Sequence, residues 1–278
     1  MTEINGSGTQ DIRELRRAEF GRQLRNPVIV LITVVLVAVG ALLGSTVGPL
    51  FAVIGALVFL LMMALIALAL ARAKAAQAFF VSYAEARGLT RAESGEILRS
   101  VPIARKGHRR EFPEVFSGRI EPGLDGHLAL YTYYTYSSSE DSGDQDHKFT
   151  VLATEIPGTD EWMPELMVWK KSGFRILEKV EDTFRRDHQR VKLENPAMRD
   201  RYEVFIGKDQ DPIRAFELFS PDLVGLLTGA VPKGFAFELV DGQFCAYMPK
   251  HRSDAGEIDL LVTTSAGVVE HIRRHAPS

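Results

Sequence analysis

The stretch PVIVLITVVLVAVGALLGSTVGPLFAVIGALVFLLMMALIALALA, Pro27 to Ala71, runs for 45 residues without a charged side chain. A crossing of the roughly 30 Å hydrocarbon core takes about 20 apolar residues, so the run is long enough for two. Its interruption sits near the middle. Gly44, Ser45, Thr46, Val47, Gly48 and Pro49 combine two glycines that let the chain bend with a proline suited to the first position of a helix. The pattern predicts a transmembrane helical hairpin over 27–71, with spans of about 27–43 and 49–71.

Charge sets the orientation. Arg13, Arg16, Arg17, Arg22 and Arg25 precede the first span, Arg72 and Lys74 follow the second, and no basic residue lies between them. The positive-inside rule then puts both flanks, and both termini, in the cytoplasm of a two-pass inner-membrane protein. A cleaved signal peptide is the competing reading. Its apolar part would be too long, and it would run directly into a second apolar stretch.

Working outward, residues 1–26 form a basic arm. Ile12, Leu15, Phe20 and Leu24 recur at roughly helical spacing among the five arginines, the pattern of an interfacial helix on an anionic leaflet. Within the hairpin, Gly40 and Gly44 have GxxxG spacing and Ala52 and Ala56 repeat it with alanine. These positions permit close helix packing, either inside one hairpin or between chains in a homo-oligomer. No ionisable residue occurs in either span, which argues against a self-contained pump or ion path. Beyond the second span, strong helix formers continue to Ala86 and Gly88 offers a C-terminal cap, so 72–100 reads as a juxtamembrane helical stalk. A short helix over Thr90–Ser100, with Thr90 as N-cap and Glu93 at the capping-box position, completes it.

From about Val101 the period changes, and 101–278 reads as a cytoplasmic α+β domain of antiparallel strands with interspersed helices, divisible into two subunits near residue 190. Arg105, Lys106, His108, Arg109 and Arg110 form a basic loop. Strands are expected at Val115–Ile120 and Leu128–Tyr136 around the turn residues Glu121 to Gly126, then at Lys148–Ile156 and Leu166–Lys170. Aromatic residues on both faces of Leu128–Tyr136 imply cover on both sides. Gly173–Arg186 reads as helical. Further strands are expected at Tyr202–Ile206, Phe235–Val240 and Gln243–Met248, the last two flanking the hairpin dipeptide Asp241-Gly242. A helix over Pro221–Leu227 starts from Ser220 and Pro221. Ile258–Thr263 reads as a last strand and Ala266–His275 as a closing helix.

Several segments resemble a family of uncharacterised bacterial membrane proteins. They are YAEARGL (Tyr83–Leu89), FSGRI (Phe116–Ile120), YTYYTY (Tyr131–Tyr136), HKFTVLA (His147–Ala153), VKLENPAMRDRYEVF (Val191–Phe205) and FSPDLVGLL (Phe219–Leu227). The resemblance implies an N-terminal two-helix hydrophobic hairpin and a cytoplasmic α+β domain, without an assigned activity.

Composition narrows the function. Up to Lys74 the chain carries seven Lys or Arg against four Asp or Glu, leaving 26 against 32 beyond it. An acidic soluble part is poorly suited to nucleic acid, which is held by cations that displace counterions from phosphates. The single Cys245 forms no intramolecular disulfide and reads as a small buried strand residue. No GxGxxG, P-loop, GxSxG or HExxH pattern occurs. His271 and His275 share helical i, i+4 spacing without a further ligand at metal-site spacing. The acidic loop of Glu140, Asp141, Asp144 and Asp146 lacks the EF-hand order. No catalytic, cofactor or metal residue is therefore assigned. Arg13, Arg16, Arg17, Arg22, Arg25, Arg105, Lys106, Arg109 and Arg110 are candidate contacts to membrane lipids, at about 1 kcal/mol per cation near an anionic surface. The expected function is a membrane-anchored cytoplasmic binding or scaffolding module with a protein partner. The alternatives are a membrane-bound hydrolase or transferase with a site assembled from distant residues, and an accessory subunit of a membrane transport complex.

Overall fold

A computed structural model describes residues 38–39, 42, 48–93, 102–136, 143–171 and 187–276. The chain divides into two compact units, Met1–Ser82 and Tyr83–Ser278.

In the first unit the dominant element is a helix that starts directly after Gly48, with Pro49 in its first turn, and continues into the second unit (α1, Pro49–Ala86). Its apolar stretch has a mean hydropathy of 3.0, with 6 % of that stretch buried, and is long and apolar enough to cross a membrane. Large side chains that water would penalise stand exposed along it, among them Leu50, Val53, Leu57, Leu61, Leu65 and Leu70. Ala38, Val39 and Leu42 are helical; the rest of the first predicted span lies outside the described residues, as do Gly40 and Gly44. Ala52 and Ala56 belong to α1.

The end of α1 follows from Gly88. Its φ of +72° is left-handed, its N–H donates to Glu85 O, and the Leu89 N–H donates to Ala84 O. This is the two-bond cap that satisfies the last carbonyls of a helix.

Tyr83–Ser278 is α+β. Among the described residues, nine strands form one antiparallel sheet: β1 (Thr90–Arg91), β2 (Arg109–Glu121), β3 (Leu124–Thr135), β4 (Gln145–Glu155), β5 (Glu165–Lys170), β6 (His188–Val191), β7 (Tyr202–Gly207), β8 (Ala236–Val240) and β9 (Gln243–Pro249). Their spatial order is β1-β2-β3-β4-β9-β8-β5-β7-β6. β5 lies between β8 and β7, so strands from before and after residue 190 share the sheet. Helices among the described residues of this unit include α2 (Pro196–Arg201), α3 (Pro212–Leu218), α4 (Pro221–Thr228) and α5 (Ala255–His275).

Local chemistry sets the register. Val240 pairs with Gln243 across Asp241 (φ 48°) and Gly242 (φ 78°), the two left-handed residues that match a hairpin's twist. The β2–β3 turn is tighter than expected: Glu121 pairs with Leu124 around Pro122 and Gly123 alone. Period-two alternation then sorts the side chains. One face of the sheet gathers Val115, Ala129, Tyr131, Tyr133, Phe149, Val151, Met167, Trp169, Cys245 and Tyr247, capped by Ile103 and Ala104. α5 packs on β2, β4 and β9, over the other face. Leu128 to Tyr133 are consecutively buried, as expected of a strand covered on both sides.

Three expectations are corrected. Ile258–Thr263 is not a strand but the first half of α5, whose N-cap Asp254 accepts from Glu257 N–H. Its apolar residues Ile258, Leu261, Val262, Val268, Val269 and Ile272 are buried at helical spacing. Thr90 does not open a helix; Thr90 and Arg91 pair with Ser117 and Phe116, and 94–100 lie outside the described residues. The basic loop is shorter than expected, because Pro102–Arg105 form a 3-10 turn and Arg109 and Arg110 already belong to β2. α2 and α3, each opened by a proline behind an Asn195 or Asp211 cap, were not anticipated. The expected helix at Gly173–Arg186 lies outside the described residues.

Candidate functional site

The basic segment that follows the stalk is bound to the core of the sheet through one carboxylate. Glu238, in the middle of β8, is opposite Cys245 on β9 and Met167 on β5 and is fully buried. A buried carboxylate needs donors, and three reach it. Ile103 N–H donates to Oε2 at 2.8 Å, while Trp169 Nε1–H and Tyr247 O–H donate to Oε1 at 3.0 and 2.9 Å. The Tyr131 hydroxyl donates in turn to Ile103 O at 3.1 Å, so the 3-10 turn is held through both its amide and its carbonyl.

Lys106 enters the same pocket. Its Nζ lies 4.9 Å from the centroid of the Trp169 ring, a cation–π contact. Burial pulls the ammonium's pKa below the usual lysine value, and the negative charge of Glu238 opposes that shift. Lys106 is half-buried, and its ammonium lies toward the Trp169 ring. The same burial pushes the Tyr247 hydroxyl and the Cys245 thiol well up, with Glu238 adding to both. The thiol stays protonated and unreactive. Aromatic rings close the surroundings: Phe112 stacks on Tyr131 at 4.7 Å and Tyr133 on Phe149 at 5.7 Å.

The remaining cations face outward. Arg105, Arg109 and Arg110 are exposed. The Arg109 guanidinium lies 3.8 Å over the Tyr134 ring and pairs with Glu111, and Arg110 donates to Ala104 O. His108 stacks on Tyr136 at 4.0 Å with its Nε2 3.0 Å from Asp144. Gly107 is required between them. Its φ is +74°, and a Cβ there would meet Tyr134 O at 2.4 Å. The result is an ordered cationic edge rather than a loose loop.

The end of α1 is tied down in the same unit. Tyr83 O–H donates to Asp259 on α5 at 2.5 Å, Arg87 pairs with the same carboxylate, and Arg87 lies over the Tyr83 ring at 4.7 Å.

Other sequence candidates fall elsewhere. Arg13, Arg16, Arg17, Arg22 and Arg25 lie outside the described residues. The His271 and His275 rings lie 4.3 Å apart and tilted, but His271 Nε2 is spent on Leu218 O at 2.8 Å. Asp144 and Asp146 pair with His108 and Lys148, while Glu140 and Asp141 lie outside the described residues. Among the described residues no three His, Cys, Asp or Glu side chains converge as a metal site. Sequence reasoning missed Glu238; its signal was a lone acid inside the apolar strand Phe235–Val240.

No protein-family model and no curated protein sequence matches the chain. Among solved structures, the chain is similar to the crystal structure of the mycobacterial trehalose monomycolate transport factor A, TtfA. The TM-score is 0.46 at 13 % identity, over 70 % of this chain and 93 % of that one.

Proposed function

We propose that the chain is a membrane-anchored binding module. A hairpin of 27–43 and 49–71 crosses the inner membrane with both ends cytoplasmic, and the α+β domain presents a surface to a protein partner. The observation that carries this reading is α1: large apolar side chains stand exposed along it, and the helix runs on without a break into the second unit. In water that surface would drive association, whereas in lipid it is satisfied. The arginines on both flanks favour the cytoplasmic orientation, and the exposed Arg105, Arg109 and Arg110 serve as contacts to anionic headgroups. Ile213 and Phe216, one turn apart on α3, are 59 % and 44 % exposed and suit a partner's apolar residues.

Topology is the decisive test. Fusions of alkaline phosphatase and a fluorescent protein after Val47 and after Ser278, expressed in a bacterial host, are expected to give phosphatase activity only at Val47 and fluorescence only at Ser278. Phosphatase activity at Ser278, or release of the chain from membranes by alkaline carbonate, overturns the reading.

A further inference from the structure

A cleft of about 350 Å³ opens at the β6–β7 edge of the sheet, beside α2. Valine and leucine side chains form part of its wall, and Lys171, Arg190, Lys192, Arg199 and Asp200 surround it. Four cations thus meet one carboxylate in a unit whose overall balance is acidic. Arg190 pairs with Glu203 at 3.0 Å. Among the described residues, Lys171, Lys192 and Arg199 have no carboxylate partner.

A second observation is independent of charge. Tyr202, the first residue of β7, lines the cleft and is 3 % exposed, and among the described residues its buried hydroxyl has no hydrogen-bond partner. An orphaned buried donor is rare because its lost hydration is not replaced. Lys170 Nζ lies 4.6 Å from the ring centroid. Burial pushes the hydroxyl's pKa up to about 12, so at neutral pH it keeps its proton and can only serve an acceptor by donating.

We infer that this cleft binds a phosphate-bearing small molecule or headgroup, with Lys192 and Arg199 neutralising the phosphate and Tyr202 O–H donating to one of its oxygens. Guanidinium forks and ammonium groups match phosphate oxygens by charge and geometry. The volume lies at the small end of ligand pockets and suits a glycerol-sized or sugar-sized phosphate. This inference stands on the cleft alone and does not depend on the proposed topology.

The test uses the full-length chain in neutral detergent, titrated calorimetrically with sodium phosphate, glycerol 3-phosphate and dihexanoyl phosphatidic acid. Saturable one-to-one binding of at least one probe is expected. Binding of the two soluble probes identifies a free phosphate ligand; binding of the phosphatidic acid alone identifies a lipid headgroup. The double variant Lys192→Gln, Arg199→Gln is expected to weaken the affinity by about tenfold or more. Tyr202→Phe, which keeps the ring and so the fold, is expected to weaken it by about threefold. Arg119→Gln with Arg274→Gln removes the same charge far from the cleft and is expected to leave it unchanged. Absence of saturable binding of all three probes, or an equal loss in the Arg119 and Arg274 variant, overturns the inference. Unchanged affinity in Tyr202→Phe overturns the part given to the hydroxyl.

Discussion

The two faces of the central sheet are closed by different physics. On one, α5 lays a stripe of Ile258, Leu261, Val262, Val268, Val269 and Ile272 over the strands, and apolar burial dominates the contact. On the other, a four-residue turn is held by a single carboxylate whose hydrogen-bond donors lie 9, 69 and 135 residues away in the chain. Aliphatic packing tolerates small shifts and exchanges of shape. A buried carboxylate does not, since every missing donor leaves a desolvated polar atom. The aromatic face therefore fixes where residues 102–110 sit, and with them the cationic edge, while the α5 face supplies cohesion.

The comparison breaks most sharply at Glu238. Glu238→Ala leaves Ile103 N–H, Trp169 Nε1–H and Tyr247 O–H without an acceptor and Lys106 without its neighbouring negative charge. The expected cost is about 3–5 kcal/mol, read from thermal or denaturant melting. Glu238→Gln keeps an acceptor oxygen and is expected to cost less. Equal and small effects of both would mean that the 3-10 turn is held by Ile103 and Ala104 packing alone.

On the opposite face the matching variant is Leu261→Ala, a fully buried position. Removing its side chain is expected to cost about 3 kcal/mol through lost burial and the cavity left behind. The two variants should differ in kind as well. Exchange of the Ile103 amide hydrogen should accelerate in Glu238→Ala beyond its change in global stability, whereas in Leu261→Ala it should follow global stability.

These two faces were unequally legible. α1, its Gly88 cap and the Asp241-Gly242 turn were readable because each depends on neighbours in sequence. Ile258–Thr263 misled because Ile258, Val262 and Thr263 are β-branched, and a six-residue window shows their strand preference but not the 21-residue helical stripe. A usable signal stood just before it: Asp254 with Glu257 three residues on is a helix start. Glu238 was readable only as an oddity, since nothing near it names Ile103 or Trp169 as a partner. The Tyr202 cleft left still less trace, because Lys171, Lys192 and Arg199 meet only once β6, β7 and α2 are assembled.

That helix start gives a smaller effect on the α5 face. Asp254 Oδ1 accepts from Glu257 N–H at 3.0 Å, and Asp254→Ala is expected to cost about 1 kcal/mol. Asp254→Asn preserves the acceptor and is expected to recover most of it. An alanine variant as stable as the wild type would show that packing of α5, rather than its cap, sets where the helix begins.

Acidification provides the gentlest separation of the faces. Burial is the main cause that lowers the pKa of His127, His147, His251 and His271. A histidine held neutral in the fold takes up its proton more readily when unfolded, so the unfolded chain binds more protons once the pH drops to about 6.5. The contribution is intact above that value and declines below it, toward the lower folded-state values. Melting temperature is therefore expected to fall between pH 7.5 and 5.5. His271, whose Nε2–H donates to Leu218 O, reports on the α5 side, and His251, beside Tyr131 O and Thr132 Oγ1, on the strands that carry the aromatic face. His271→Gln and His251→Gln should each flatten the profile. If neither does, the acid sensitivity belongs to His127 and His147 at the β3–β4 pair, and the two faces respond to protons alike.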